Sequence, residues 1–281
     1  MRYATYRKLD GTTTWGVERD GRLINLGPSG AAVAATLKDA ISAGALGVDD
    51  DGHVGADSVA IDDVEFLPPV DPDKILCIGV NYKTHQEETG RLDQKAPTVF
   101  TRFSDTQMGH GQPAVRPNST TQFDYEGELA LVIGEPAYRV SEADAWDVVA
   151  GYSVYNDFSV RDWQKASSQW TPGKNFPNTG AFGPFFVPAC DIVDVDAMTL
   201  ETRVNGETRQ SASLSDLVFT IPQIIAFVTG FTALAPGDVI VTGTPGGVGM
   251  FMSPPGLLEH GDVVDVEISG VGTLTNMVVQ E

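Results

Sequence analysis

Glycine and proline are frequent enough in this chain to limit the folds that it can adopt. The sequence holds 30 glycines and 17 prolines among 281 residues, above the roughly 12% that these two residues usually contribute to globular proteins. Both interrupt helices and mark turns. The pattern therefore predicts many short strands joined by turns. Because these strands do not alternate regularly with long helices, we expect an α+β fold that is mainly β.

Two domains are predicted. The first, 1–70, is a small N-terminal α/β unit, and the second, 71–281, is a larger catalytic domain. In the first unit, the pattern predicts a meander of three strands over 3–26, a helix over 31–43 and a solvated acidic connector over 47–63. The larger domain is predicted to contain mainly short strands, with short helices over 82–88, 143–149 and 222–228 and another after Asp157.

The net charge restricts the partners of this protein. Thirty-eight acidic residues against 18 basic residues give a formal charge of −20 at pH 7. Nucleic acid is bound through Lys and Arg, so this balance argues against a nucleic-acid partner. An anionic membrane surface is disfavoured for the same reason. An acidic small substrate needs a local positive centre, such as a metal ion or a buried Lys or Arg.

Neither a membrane span nor a secreted protein is expected. The uncharged stretch between Asp216 and Asp238 is interrupted by proline and glycine, which favours a buried helix followed by a turn. The first ten residues lack the apolar core of a signal peptide. The only cysteines, Cys77 and Cys190, cannot form a disulfide framework. We therefore expect a cytoplasmic protein.

A pair of glutamates beside an apolar strand is a candidate metal site. Glu126 and Glu128 are two residues apart in the strand predicted over 126–133, and such residues project from the same face. Two carboxylates on a buried face repel each other unless a cation or a proton intervenes. Asp157, which ends another strand, could add a third carboxylate, and three such ligands suit Mg²⁺ or Mn²⁺. The alternatives are an exposed acidic strand face for the pair and a helix N-cap for Asp157.

Three more polar residues follow this possible third ligand. Arg161 and Gln164 lie at helical spacing from Asp157, which predicts that the three share one helical face. Arg161 is either a structural ion-pair partner or a substrate contact. Lys174 lies in a turn-rich loop between aromatic residues, where it is either a solvated surface charge or a group that neutralises a developing oxyanion.

The polar helix predicted over 82–88 carries a possible general base. His85 and Glu88 are three residues apart, a spacing that lets a carboxylate orient an imidazole. Because this helix is polar on all sides, the alternative is a solvated surface helix. If it is functional, its weak burial suits a lid that orders over the substrate.

A glycine-rich turn follows the strand predicted over 239–241. It contains Thr244 and Pro245 but no Gly-Lys-Ser/Thr, so a phosphate loop of the Walker type is rejected. The backbone amides and the Thr244 hydroxyl could hold a carboxylate, and a plain tight turn is the alternative.

Six motifs follow one another through the larger domain, at 78–82 with His85, 124–129, 156–164, 173–176, 204–207 and 236–245. Their joint order and spacing resemble the fumarylacetoacetate hydrolase family over about residues 74–279. The resemblance implies a mixed β-sandwich roll, a homodimer and a divalent metal, Mg²⁺ or Mn²⁺, that chelates a 2-oxo acid. Where many relatives have Lys-Pro after a strand, this chain has Arg102-Phe103.

The resemblance also assigns roles to individual residues. Beyond the metal site, it implies a lid dyad that activates water, a lysine beside the metal and several substrate contacts. The metal ligands are Glu126, Glu128 and Asp157, the dyad is His85 and Glu88, the lysine is Lys174, and the substrate contacts are Arg161, Gln164, Thr244 and Tyr82.

The expected activity is hydrolysis of a carbon-carbon bond in a 3-acylpyruvate of aromatic catabolism, such as fumarylpyruvate or maleylpyruvate, with release of pyruvate and a carboxylic acid. A second hypothesis is decarboxylation of an oxaloacetate-type acid, or hydration or isomerisation of a 2-oxo-dienoate. A third is a metal-binding protein without turnover. In the enzymatic hypotheses, the partner is a small 2-oxo acid.

Overall fold

The computed structural model of this chain describes residues 1–28, 33–47 and 57–281. Within them, the α-helices are α1 (Leu37–Ser42), α2 (Lys83–Thr89), α3 (Arg161–Lys165), α4 (Thr171–Lys174) and α5 (Ile221–Phe231). The strands are β1 (Tyr3–Arg7), β2 (Thr13–Arg19), β3 (Arg22–Asn25), β4 (Ser58–Ala60), β5 (Glu65–Phe66), β6 (Ile75–Gly79), β7 (Thr98–Arg102), β8 (Gln107–Met108), β9 (Ala114–Arg116), β10 (Phe123–Asp124), β11 (Gly127–Ile133), β12 (Val149–Asp157), β13 (Ser159–Val160), β14 (Gly180–Phe182), β15 (Val187–Pro188), β16 (Thr199–Val204), β17 (Glu207–Ser213), β18 (Val239–Val241), β19 (Val263–Ile268) and β20 (Gly272–Gln280).

The N-terminal strands form a sheet of their own, in the order β4-β3-β2-β1-β5. The meander predicted from the turn residues is confirmed, and Asp20 and Gly21 take the positive φ angles, 51° and 74°, that a tight hairpin turn requires. The helix predicted over 31–43 is observed only as α1, because Thr36 and Asp39 form a capping box that fixes its start. Residues 29–32 and most of the predicted acidic connector, 48–56, lie outside the described residues.

Two larger sheets build the rest of the fold, which is mainly β as predicted. One runs in the order β7-β6-β18-β11-β12-β14-β8, with β15 also paired to β12, and the other in the order β17-β16-β19-β20-β9. Strands β11 and β12 of the first sheet face β16, β19 and β20 of the second. Gly127 permits the close approach, because a Cβ atom there would lie 2.2 Å from Thr202 Oγ1.

Apolar side chains fill both faces of the first large sheet. One face packs on the second large sheet, and its core includes Leu129, Leu131 and Val266. The other face packs on the N-terminal sheet through residues such as Trp15 and Phe186. Strand β11, in the middle of the sheet, is therefore buried along its whole length. The carboxylates on and beside this strand consequently lie in the interior.

The buried helix predicted after Asp216 is present as α5, which begins at a capping box between Thr220 and Gln223. In the parts of the chain that the structure describes, we find no helix with the length and apolar character needed to cross a bilayer.

Asn81 fixes the chain where β6 leads into α2. Its amide nitrogen donates to the carbonyl oxygens of Phe219 at 3.1 Å and Thr242 at 2.9 Å, and its Oδ1 accepts from the Phe219 amide at 2.8 Å. The side chain is fully buried. Because water cannot replace these three bonds, Asn81 ties β18 and the start of α5 to the base of α2.

We expect Asn81→Ala to lower the free energy of unfolding by about 3 kcal/mol, since it leaves several buried backbone groups without partners. Urea unfolding followed by circular dichroism measures this loss. Asn118→Ala is the matched control, because Asn118 is exposed, and it should change the free energy by less than about 0.5 kcal/mol. Equal stability of the two variants would contradict the assigned role of Asn81.

Candidate active site

The three carboxylates named from the sequence come together at one end of the β11–β12 pair. Gly127 pairs with Asn156, and the Asp157 amide donates to the Glu126 carbonyl oxygen at 2.9 Å. One carboxylate oxygen from each of Glu126, Glu128 and Asp157 lies within 4.8 Å of the others. The three side chains are buried, so the alternative of an exposed acidic face does not hold.

Lys174 joins two of these carboxylates. Its Nζ donates to Glu126 at 2.8 Å, to Asp157 at 2.7 Å and to the Ser159 hydroxyl at 2.7 Å. Lys174 ends α4 and is only 1% exposed, so the alternative of a solvated surface charge is wrong. Such a fully bonded ammonium group neutralises much of the charge that Glu126 and Asp157 bring into the interior.

Two arginines supply further positive charge. Arg161 bridges Asp124, at 2.8 Å from its Nε, and Glu126. Its Nη2 is buried and has no partner among the described residues. Arg102 donates to Asp157 and, at 2.7 Å, to the Thr179 hydroxyl. Arg161 is therefore an ion-pair partner with one buried donor unused.

The predicted helical face shared by Asp157, Arg161 and Gln164 is wrong. Asp157 ends β12, and Arg161 is the first residue of α3. Because the short strand β13 lies between them, the three residues do not lie on one helix. Arg161 and Gln164 are nevertheless in contact, at 3.1 Å between Nη1 and Oε1. The two residues reach the site from α3 and Asp157 reaches it from the sheet.

The two glutamates of the same segment have opposite pKa shifts. Burial alone would raise the pKa of Glu126, but the positive charges of Lys174 and Arg161 outweigh it and lower the pKa to about 2. Burial raises the pKa of Glu128 well above its ordinary value, and the negative charges of Asp157 and Glu126 raise it further. Glu128 receives a backbone hydrogen bond, from the Gly243 amide at 2.5 Å. Among the described residues, no Lys or Arg lies at ion-pair distance from Glu128.

The donor set fits a divalent cation. Three buried carboxylates are hard oxygen ligands of the kind that Mg²⁺ and Mn²⁺ prefer. The raised pKa of Glu128 indicates that Lys174 and Arg161 do not neutralise the group completely. The buried acidic triad can therefore bind a divalent metal.

The dyad named from the sequence is also formed. Nδ1 of His85 lies 3.0 Å from Oε2 of Glu88, and the other oxygen of Glu88 accepts from the Gly247 amide at 2.6 Å. The Thr84 hydroxyl accepts from the Gly246 amide at 2.9 Å. The alternative of a solvated surface helix does not hold, because α2 is held on the glycine-rich turn and His85 is 6% exposed. Glu88 and this turn therefore fix the imidazole.

The glycine-rich turn holds carboxylates of the protein itself. The Gly243 amide donates to Glu128 and the Gly247 amide to Glu88, whereas the Gly246 amide donates to the Thr84 hydroxyl. The Thr244 hydroxyl accepts from Gln210 at 2.8 Å and keeps its own proton for another acceptor.

A cavity of about 410 Å³ lies above the carboxylates. Its volume is typical of a site for a small molecule. Tyr82, predicted as a substrate contact, is not among its walls: the side chain is fully buried in the core, where it packs with apolar neighbours. The other predicted groups that line this cavity are His85, Glu126, Glu128, Arg161, Gln164, Lys174 and Thr244.

Sequence reasoning missed four supporting residues. Arg102 was noted only as a departure from relatives, and Asp124 only as part of a motif. Ser159 and Gln210 carried no signal, because their bonds to Lys174 and Thr244 depend on how the sheets pack. Charge pairing in the interior was the one available clue, and it would have applied to Arg102 and Asp124.

The comparisons with known proteins agree with this geometry. Residues 74–279 match the fumarylacetoacetate (FAA) hydrolase C-terminal family. The oxaloacetate tautomerase YisK of Bacillus subtilis is 41% identical over 231 residues, which cover 80% of this chain and 77% of that protein.

Solved structures are similar along the whole chain. A fumarylacetoacetate hydrolase from psychrophilic Exiguobacterium antarcticum has a TM-score of 0.89 and 36% identity, with 100% of both chains covered. Maleylpyruvate hydrolase from Sphingobium sp. SYK-6, in complex with manganese(II) and pyruvate, has a TM-score of 0.83 and 27% identity, with 100% of this chain and 99% of that chain covered. The chain therefore belongs to the fumarylacetoacetate hydrolase family.

Proposed function

We propose that this protein is a divalent-metal-dependent tautomerase that interconverts the keto and enol forms of oxaloacetate or a close analogue. The observation that carries the proposal is that His85, oriented by Glu88, lines the same cavity as two carboxylates of the acidic triad. Moving a proton at the carbon beside a 2-oxo group requires a base and a positive centre together. The 41% identical relative from Bacillus subtilis, an oxaloacetate tautomerase, supports this choice.

The cation would be Mg²⁺ or Mn²⁺, held by Glu126, Glu128 and Asp157. When bound, it supplies a Lewis acid that polarises the 2-oxo group and makes the neighbouring C–H bond more acidic. The similar maleylpyruvate hydrolase with manganese(II) and pyruvate supports a metal in this family of sites.

His85 is the general base. Because Glu88 accepts the proton of Nδ1, the neutral imidazole carries its free lone pair on Nε2. On the way to the enol, Nε2 takes the proton from carbon and passes it to the oxygen of the 2-oxo group, and the reverse transfer restores the keto form. Glu88 stabilises the imidazolium formed in between, and the Gly247 amide keeps Glu88 in place.

Arg161 and Lys174 hold the substrate end of the site positive. The unused Nη2 of Arg161 can donate to an oxygen of the 2-oxo acid, which satisfies a buried donor. Lys174 keeps Glu126 and Asp157 ionised and oriented. Gln164 and Thr244 offer further polar groups in the cavity wall.

Hydrolysis of a 3-acylpyruvate is the second candidate. The same His85 could take the proton of a water molecule for attack on the distal carbonyl group. The observation in its favour is the cavity of about 410 Å³, which extends past the carboxylates between α2 and α3. Release of pyruvate from fumarylpyruvate or acetylpyruvate by the manganese-loaded protein, and its loss with EDTA, tests this candidate.

We expect His85→Ala to lower the rate of enol-to-keto conversion of oxaloacetate at least about a hundredfold, because the base is removed. Glu88→Gln should cause a smaller loss, since the amide cannot stabilise the imidazolium. Ultraviolet absorbance of the enol follows the reaction. Glu87→Gln is the matched control, because Glu87 is exposed on the same helix, and it should keep the full rate.

The same variants separate tautomerisation from decarboxylation. Loss of carbon dioxide from oxaloacetate leaves its electron pair on carbon without help from a base, so a decarboxylase should keep its rate in His85→Ala. If His85→Ala retains the tautomerase rate while it still binds manganese, the proposed role of the dyad is wrong.

We expect Glu128→Gln to stabilise the metal-free protein at neutral pH. Because the folded state raises the pKa of Glu128, the stability from the protonated group is complete below about pH 4.5 and is lost as the pH rises toward the folded-state value. The neutral amide removes this loss. Thermal unfolding between about pH 5 and pH 8 should therefore show a higher midpoint for Glu128→Gln, and a smaller decline with pH, than for the metal-free parent.

Manganese should reverse this order. At about a hundredfold excess over the dissociation constant, a bound ion adds about 2.7 kcal/mol to the parent protein, which raises its unfolding midpoint by about 5 °C. Glu128→Gln should show little of this gain. A manganese shift as large in Glu128→Gln as in the parent would exclude Glu128 as a ligand.

A further inference from the structure

The cavity wall has a charge opposite to that of the whole protein. The chain carries a net charge of −20. Among the described residues that line the cavity, the acidic side chains are Glu126 and Glu128, both on the floor. Four basic side chains line it as well: Arg91, Arg161, Lys165 and Lys174. The charged side chains in the outer part of the wall are thus all basic, and their field raises the local concentration of anions in the cavity.

The four basic side chains divide into two pairs. The inner pair, Arg161 and Lys174, is buried and held by carboxylates. The outer pair, Arg91 and Lys165, is exposed at the mouth. Within the described ranges, neither member of the outer pair has a carboxylate at ion-pair distance, and each instead lies over an aromatic ring.

Arg91 has a built support. Its guanidinium carbon lies 4.9 Å from the centre of the Trp170 ring, and Trp170 packs edge-on against Phe100 at 5.4 Å. Trp170 fits there because residue 79 is glycine: a Cβ atom at Gly79 would lie 2.1 Å from the indole. The ring attracts the guanidinium and limits its freedom, so less entropy is lost when Arg91 binds an anion.

Lys165 has a comparable aromatic support. Its Nζ lies 5.8 Å from the centre of the Phe251 ring, and that ring packs edge-on against His85 at 6.3 Å. Partial burial lowers the pKa of Lys165, and the positive charge of Arg161 lowers it further. Lys165 therefore lies close enough to the substrate end of the site to share its electrostatic field.

We propose that Arg91 and Lys165 bind a second, distal carboxylate of the substrate, so that the site selects dicarboxylic over monocarboxylic 2-oxo acids. This inference rests on the proposed function and specifies its substrate class. The 2-oxo acid end occupies the cavity floor with Arg161 and Lys174, and the far carboxylate meets the two cations at the mouth. A monocarboxylic acid fills the floor equally well but leaves the outer cations without a partner.

The experiment compares matched acids on the manganese-loaded protein. Calorimetric titration measures the dissociation constants of oxaloacetate, 2-oxoglutarate and 2-oxoadipate. The monocarboxylic counterparts are 2-oxobutyrate, 2-oxovalerate and 2-oxohexanoate. Binding is read from these constants rather than from a rate, and the chain-length series shows which spacing the two cations accept.

Arg91→Gln and Lys165→Gln should each weaken binding of the best dicarboxylic acid about fivefold, and leave the monocarboxylic acids unchanged. The controls are Arg139→Gln and Lys95→Gln. Arg139 also stacks on an aromatic ring, Tyr138 at 5.0 Å, but neither control residue lines the cavity.

Each result decides the matter. A selective loss on dicarboxylic acids supports the proposal. An equal loss on both series, or no loss in either variant, overturns it while the proposed function stands, because the parent protein still binds 2-oxo acids. If the manganese-loaded parent binds none of the six acids, the proposed function fails together with this inference.

Discussion

Mutual repulsion among three buried carboxylates is the constraint on which the rest of the site depends. Glu126, Glu128 and Asp157 offer oxygens within 4.8 Å of one another in the protein interior, where like charges interact strongly. Lys174 and Arg161 offset the repulsion at two of them. Glu128 keeps a raised pKa because its compensation is incomplete. The cationic side chains of the protein therefore do not fully neutralise the carboxylates at the point where a divalent ion and a 2-oxo acid would meet.

Charge is arranged in layers from this point outward. The floor is acidic, the next layer is the buried pair Arg161 and Lys174, and the mouth carries Arg91 and Lys165. An acidic protein can attract an acidic substrate in this way, because the cavity walls shield the site from the distant surface carboxylates. The basic residues that line the cavity thus give it a local charge opposite in sign to the net charge of −20.

Local periodicity explains how much of this arrangement could be predicted from the sequence. Glu128 lies in β11 and Glu126 directly precedes that strand, while His85 and Glu88 are three residues apart on α2, so the spacing within each pair was informative. Local spacing left the position of Lys174 open, and only the family resemblance placed it beside the metal ligands, since its burial depends on α4 packing against β7 and β13. The hairpins followed from turn residues, and α5 followed from an uncharged stretch of the chain, for the same local reason. The order of strands in the sheets, and with it the supporting bonds of the site, depends on contacts between distant segments.

The glycine-rich turn after β18 connects the metal ligands to the base. Its amides hold Glu128 through Gly243 and Glu88 through Gly247, and both glycines have φ angles, 103° and 102°, that other residues rarely adopt. Glu88 in turn orients His85. The sequence indicated that this turn could hold a carboxylate, and its amides hold those of Glu128 and Glu88. The turn therefore sets the separation between Glu128 and the imidazole that Glu88 orients. Because proton transfer depends steeply on that geometry, the turn contributes to the proposed chemistry without contacting the reacting atoms.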